Sequence, residues 1–177
     1  MPWTDDPKEA IKHLKECIDE MERRRDLYKL LARLEKSSLP PEERKAINSL
    51  NIYNEKVSSS EQLPWWLVVL EEYSDLTSDD ADKKIIEKHV NRLAQKARFI
   101  GIHIIVATQN PQATVISSVL RSNLPAQLAL KCRSNTESDV IMSDSGAEKL
   151  NGKGDALYKQ NGITERLQCA IIDELYS

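Results

Sequence analysis

The chain has 177 residues, 40% of them hydrophobic and 30% charged, with a formal charge of −3. This is a globular, soluble, intracellular composition, and its near-neutral balance gives no global argument for nucleic-acid binding. Cys17, Cys132 and Cys169 lie far apart, which excludes a disulfide framework or a Cys/His zinc site, and no stretch approaches the about 20 apolar residues that span a bilayer.

Asp6-Pro7-Lys8-Glu9 is a helix start, with Asp6 as cap, Pro7 in the first turn and Glu9 completing a capping box. Ile11, Leu14, Ile18, Met21, Tyr28 and Leu31 then recur at helical spacing, interrupted by Arg25, and the helix ends before Ser37-Ser38 and Pro40-Pro41. Residues 41–50 suit a shorter helix, and the polar, serine-rich residues 51–63 an exposed loop. Trp65-Trp66-Leu67-Val68-Val69-Leu70 is a continuous apolar run, the pattern of a strand buried on both faces.

A helix is expected from about 81 to 99, stopped by Gly101, and Ile102 to Ala107 reads as a second buried strand. Strand, helix, strand at this spacing is a βαβ unit, so the two strands should be parallel. Thr114–Ser122 suits a short helix, Ala126–Cys132 a third strand, and 136–142 and 145–150 short helical pieces. Ala156-Leu157-Tyr158, the Asn161-Gly162 turn and Leu167–Ile172 form a hairpin pattern. The organisation expected is an N-terminal helical segment and polar loop over 1–60 and a C-terminal part over 61–177, together one structural domain.

Charge is uneven: residues 51–82 carry eight acids and one base, and 83–99 six bases and one acid. The switch reads first as an acidic loop running into a basic, solvated helix face.

Open α/β sheets place ligands beyond the carboxyl ends of their parallel strands. One such end carries Glu71, Glu72 and Asp75; the other carries Thr108, Gln109 and Asn110. Paired carboxylates after a buried strand are the Walker B pattern, in which one holds hydrated magnesium and the next polarises the attacking water. Taken alone, the pattern reads first as a strand ending in a solvated acidic turn.

A string of ordered motifs adds context. Leu63-Pro64-Trp65-Trp66-Leu67-Val68-Val69-Leu70-Glu71-Glu72-Tyr73-Ser74-Asp75-Leu76 resembles the FtsK/SpoIIIE Walker B segment, whose usual ending is Asp-Glu-Phe-Ala-Asp-Leu. Arg92-Leu93-Ala94-Gln95-Lys96-Ala97-Arg98, Gly101-Ile102-His103 and Ala107-Thr108-Gln109-Asn110-Pro111 follow in the family's order. So do Val115-Ile116, Asn123-Leu124-Pro125, Ser145-Gly146-Ala147-Glu148 and Gly152-Lys153-Gly154-Asp155-Ala156-Leu157-Tyr158, with Glu20-Met21-Glu22-Arg23-Arg24 and Tyr53-Asn54-Glu55-Lys56 upstream.

The resemblance implies an α/β fold: a RecA-like P-loop ATPase core fragment, a mostly parallel sheet flanked by helices with a C-terminal antiparallel hairpin. It implies a hexameric homo-oligomer that pumps double-stranded DNA, driven by ATP with Mg2+, in chromosome segregation or in conjugative or mobile-element transfer. On that resemblance Glu72 takes the water-activating position and Gln109 the phosphate-sensing one. Glu71 and Thr108 take cofactor-binding positions, with Glu71 holding Mg2+ through water. The bases Arg92, Lys96 and Arg98 face phosphates or solvent, and solvent is preferred. No signal peptide is visible, so a cytoplasmic location without membrane contact is expected for this segment; any membrane anchor belongs to a separate part of the family's architecture.

Three departures from the family pattern stand out. No Gly-x-x-x-x-Gly-Lys-Ser/Thr loop occurs among the five glycines, so the isolated chain is expected to be inactive. Glu71 replaces the usual aspartate. Asn110, Gln127 and Asp139 stand where the family has arginines, the last a candidate arginine finger; Arg121, Arg133 and Arg166 are the candidates to substitute. These departures keep a second reading open, a catalytically degenerate FtsK-like module that assists an active ATPase in assembly or DNA contact.

Overall fold

The structure, a computed structural model, describes residues 3–170. They form two compact units divided between Gln109 and Asn110.

The first unit begins with helix α1 (Pro7–Ser38). Asp6 caps it by accepting from the Lys8 N–H at 2.9 Å. The expected capping box does not close: the Asp6 N–H donates to Thr4 Oγ1 at 3.1 Å, and Glu9 instead accepts from that hydroxyl at 2.9 Å. Ala10, Leu14, Ile18, Met21, Arg24 and Tyr28 are the buried stripe, at i+3 and i+4 steps. Helix α2 (Leu50–Lys56) falls where the sequence suggests an exposed loop. Ser49 caps it, Leu50 and Tyr53 are buried, and the Tyr53 ring stacks on Tyr28 with centroids 4.8 Å apart. Two buried side chains in seven residues are too few to announce a helix by periodicity. Residues 41–50, expected as a short helix, hold a single 3-10 turn at Pro41–Glu43 and, at Leu50, the first residue of α2.

Strand β1 (Trp66–Leu70) leads through helix α3 (Tyr73–Leu76) to helix α4 (Asp80–Lys96) and strand β2 (Ile102–Val106). The strands pair in parallel, Trp66 opposite Ile102 through Leu70 opposite Val106, as the βαβ spacing predicts. Asp79 caps α4 by accepting from the N–H groups of Ala81 and Asp82 at 2.9 and 3.0 Å. Ile86, Val90 and Leu93 of α4 are buried, and α4 packs against both α1 and β2. Each such side chain stabilises by about 1.5–3 kcal/mol when fully buried.

Between α4 and β2 the chain turns at Gly101, whose φ is +78° and whose missing Cβ would stand 2.2 Å from Leu50 Cδ2. Both the left-handed backbone and the close approach of α2 require glycine there. Arg24 ties the layers together from inside: it is fully buried and donates from Nη1 to Pro64 O (2.8 Å) and Ile100 O (2.9 Å). Its Nε donates to Glu20 at 2.7 Å, and its guanidinium carbon lies 5.2 Å from the centre of the Trp66 ring. The interruption of the α1 stripe is thus Arg24 turned inward, while Arg25 pairs with Glu22 at 2.8 Å.

A further expectation is corrected. β1 is not buried on both faces: Leu67 and Val69 are 52% and 54% exposed, and Ile105 beside them on β2 is 49% exposed. The helices of this unit pack on the opposite face, where Leu70 and Ile102 are buried. A continuous apolar run therefore marks a strand with two apolar faces, of which this unit covers one.

In the second unit, helix α5 (Ser118–Asn123) precedes strand β3 (Ala126–Ala129), and helix α6 (Asn135–Met142) precedes strands β4 (Asp155–Gln160) and β5 (Ile163–Gln168). These three strands form an antiparallel sheet in the order β3-β4-β5. The parallel part is thus the β1–β2 pair, and β3 pairs antiparallel with β4. The β4–β5 hairpin turns at Asn161-Gly162, both at positive φ, as the dipeptide predicts. Ile171 and Ile172, expected in the last strand, lie outside the described residues. Ala129, Cys132, Met142, Ala147 and Leu150 form the core of this unit.

Candidate active site

The parallel pair brings two carboxyl ends side by side. β1 ends at Leu70, whose carbonyl accepts from the Ala107 N–H at 2.9 Å; the Ala107 carbonyl in turn accepts from the Tyr73 N–H at 2.8 Å. These two bonds continue the ladder past the last strand residues. They force the chain to double back at Glu72, which takes a left-handed conformation, φ 46° and ψ 64°. A non-glycine residue in that region carries strain, and such strain gathers at functional sites. Tyr73, fully buried, and Leu76 anchor the short helix that follows.

The turn places the Glu72 carboxylate against the end of β2. Thr108 donates its hydroxyl to Oε1 at 2.9 Å, and the Gln109 N–H reaches Oε2 at 3.0 Å and Oε1 at 3.2 Å. The Ser74 hydroxyl, two residues beyond Glu72, also donates to Oε1. These donors, Ser74 first, then the Gln109 amide and Thr108, hold the Glu72 carboxyl below the usual carboxylate range, against an opposing effect of partial burial. All three are uncharged, so the carboxylate keeps its full negative charge.

Of the residues picked from the sequence, Glu72, Thr108 and Gln109 therefore meet in one cluster. Glu71 does not join it: it is exposed and engages no partner among the described residues. Among the described residues no three His, Cys, Asp or Glu side chains gather to hold a metal ion directly. A hydrated Mg2+ needs less, one or two carboxylates with water and substrate phosphates completing its octahedron, and exposed Glu71 fits that demand. Sequence reasoning assigns no role to Ser74. The signal is its hydroxyl, standing where the family pattern carries alanine.

Arg92, Lys96 and Arg98 are exposed, and Arg92 pairs with Glu22 at 2.8 Å. In the second unit the three arginines considered as substitutes for the missing finger are all engaged locally. Arg121 donates to Asp139 O (3.3 Å) and Ser143 Oγ (3.4 Å), Arg133 pairs with Glu137 at 3.3 Å, and Arg166 grips Asp155 at 2.6 and 2.8 Å. Arg166, with the Asn151 N–H, draws the Asp155 carboxyl down to about 2. No helix among the described residues is long and apolar enough to cross a membrane.

A solved structure of the pCW3 conjugation coupling protein TcpA, in a monomer form with ATPgS, matches 92% of this chain and 44% of its own, with a TM-score of 0.75 and 26% identity. The cytoplasmic domain of the type VII secretion ATPase EccC of Thermomonospora curvata shares the fold, with a TM-score of 0.62 at 21% identity over 93% of this chain and 19% of its own. The fold defines the class: a RecA-like P-loop ATPase core fragment.

The family model for FtsK/SpoIIIE matches residues 1–113. "DNA translocase FtsK" of Borreliella burgdorferi is 35% identical over 179 residues, covering 98% of this chain. The chain belongs to the FtsK/SpoIIIE family. It spans about a fifth of the length of the curated relatives it matches, 21% in the Borreliella case.

Proposed function

We propose that this chain is the water-activating and phosphate-sensing part of an ATP-driven motor that translocates double-stranded DNA. The observation that carries the reading is the convergence of Glu72 with Thr108 and Gln109 at adjacent carboxyl ends of a parallel pair. The relative from Borreliella is a DNA translocase, and the TcpA structure contains ATPgS, which supports a nucleotide as the fuel.

Glu72 orients the attacking water and takes its proton. Gln109, whose N–H already holds that carboxylate, carries its side chain at the strand end where a terminal phosphate would be sensed, and Thr108 fixes the carboxylate between them. Glu71 is the residue that would hold Mg2+ through water; the ion supplies charge neutralisation on the phosphates. The phosphate-anchoring loop comes from residues other than these, since no Gly-x-x-x-x-Gly-Lys-Ser/Thr occurs in the sequence. Assembly into a hexamer around duplex DNA, a cytoplasmic location, and a role in chromosome partition or in conjugative or mobile-element transfer complete the reading.

ATP hydrolysis by the full-length protein, with and without duplex DNA, tests it. Glu72→Gln should lower kcat by about 10²–10⁴-fold, the usual contribution of a positioned general base. Hydrolysis that survives the substitution contradicts the assignment.

A second reading has its own support. Glu71 occupies the aspartate position, and Arg121, Arg133 and Arg166 are occupied by local partners. A degenerate module serving an active ATPase would show no hydrolysis of its own and would change the rate or assembly of its partner. Hydrolysis that depends on Glu72 removes this alternative.

A further inference from the structure

Three hydrogen-bond donors converge on the Glu72 carboxylate. Oε1 receives Ser74 Oγ, Thr108 Oγ1 and the Gln109 N–H, and Oε2 receives the Gln109 N–H at 3.0 Å. Thr108 and Gln109 belong to the end of β2 and hold the carboxylate from that side. Ser74 is different, because it sits on α3 immediately beyond the strained Glu72 turn and reaches back over it. Thr108 Oγ1 and Ser74 Oγ lie 3.5 Å apart, so the two hydroxyls close on Oε1 together. Without the Ser74 hydroxyl the carboxylate would keep its β2 donors only.

We propose that Ser74 is a positioning residue that restrains Glu72, holding its carboxylate turned onto the end of β2 and away from an attacking water. A carboxylate takes a proton from water through an oxygen lone pair that the water can reach. Three donors crowd Oε1, and the shared Gln109 N–H takes one site on Oε2, so the direction of the carboxylate is fixed and the site still open on Oε2 is turned with it. Release of the Ser74 hydroxyl, by a shift of α3 within its own unit, frees Oε1. The hydroxyl thus sets the resting rate of hydrolysis in this chain. The inference rests on the reading of Glu72 as the water-activating group.

Ser74→Ala and Ser74→Thr test it, read in two ways. The first readout is the backbone amide proton of Gln109 in this 177-residue chain, measured by NMR, which reports the bond to Glu72 without any turnover. Ser74→Ala should move that resonance upfield as the carboxylate loosens, and Ser74→Thr, which keeps the hydroxyl, should leave it in place. The second is steady-state ATP hydrolysis by the full-length protein. Ser74→Ala should raise kcat about tenfold with KM unchanged, the effect of one hydrogen bond to a charged group, and Ser74→Thr should restore the original rate.

A Gln109 resonance that does not respond to Ser74→Ala overturns the restraint, as does a kcat that falls or stays level. If Glu72→Gln hydrolyses ATP as fast as the native protein, the water-activating role fails and the restraint on it fails too. The Gln109 resonance then still tells the two failures apart, because it moves if Ser74 holds the carboxylate and stays if it does not.

Discussion

Glu72 in the first unit and Asp155 in the second are both held below the usual carboxylate range, and the two are held by opposite means. In the second unit Asp155 is gripped by the Arg166 guanidinium at 2.6 and 2.8 Å, a charge-neutralised pair that ties β4 to β5. In the first unit Glu72 is held by two hydroxyls and a backbone N–H, with no cation among its donors. That unit spends its buried arginine, Arg24, on two backbone carbonyls and Glu20 instead. The difference separates structure from chemistry. An ion pair satisfies a carboxylate and uses it up, whereas neutral donors orient it and leave its charge available for a proton, a metal ion or a phosphate-linked water.

Several substitutions press on that contrast. The largest stability effect is expected at Arg24. Arg24→Ala removes a buried cation from Glu20, Pro64 O and Ile100 O and should cost about 3–5 kcal/mol, read as a lower urea midpoint. A loss below about 1 kcal/mol would mean that the arginine does not hold the layers on which the Glu72 turn is built. Next comes Gly101→Ala, which meets both a φ of +78° and Leu50 Cδ2 at 2.2 Å. It should cost at least about 2 kcal/mol, with near-neutral behaviour contradicting the packing of α2 on the turn before β2.

A pH experiment probes the other side. Asp155 has a folded pKa of about 2, lowered from an ordinary value of 3.8, so its stabilisation is fully present above pH about 4 and is lost as pH falls toward 2. Asp155→Asn should flatten that part of the acid-unfolding curve and lower stability at neutral pH. An unchanged acid limb would show that Arg166 does not select the charged form. The smallest effect is expected on the open face of the parallel pair. Leu67→Lys should change the stability of this chain by no more than about 0.5 kcal/mol, because Leu67 is 52% exposed. A loss above about 2 kcal/mol would place that face against a covering layer.

Much of this was legible in the residues. The α1 stripe, the βαβ unit and the Asn161-Gly162 hairpin follow from periodicity and turn chemistry, which act locally. The meeting of Glu72 with Thr108 and Gln109 follows too, because in-register parallel strands bring their carboxyl ends together. Helix α2 was not legible, since its two buried residues find their partners elsewhere in the unit, Leu50 at Gly101 and Tyr53 on Tyr28. The apolar run before Glu71 misled about burial because a strand's composition records both faces while this unit covers one. Ser74 escaped because its reach to Glu72 depends on a left-handed turn that no local pattern announces.

The most direct test of the contrast is one hydrolysis assay on two variants of the full-length protein with duplex DNA. The account predicts that Glu72→Gln loses at least about 100-fold in kcat with stability retained, whereas Asp155→Asn keeps its turnover and loses stability. Equal turnover in Glu72→Gln and the native protein, or a selective loss of turnover in Asp155→Asn at full stability, would contradict it.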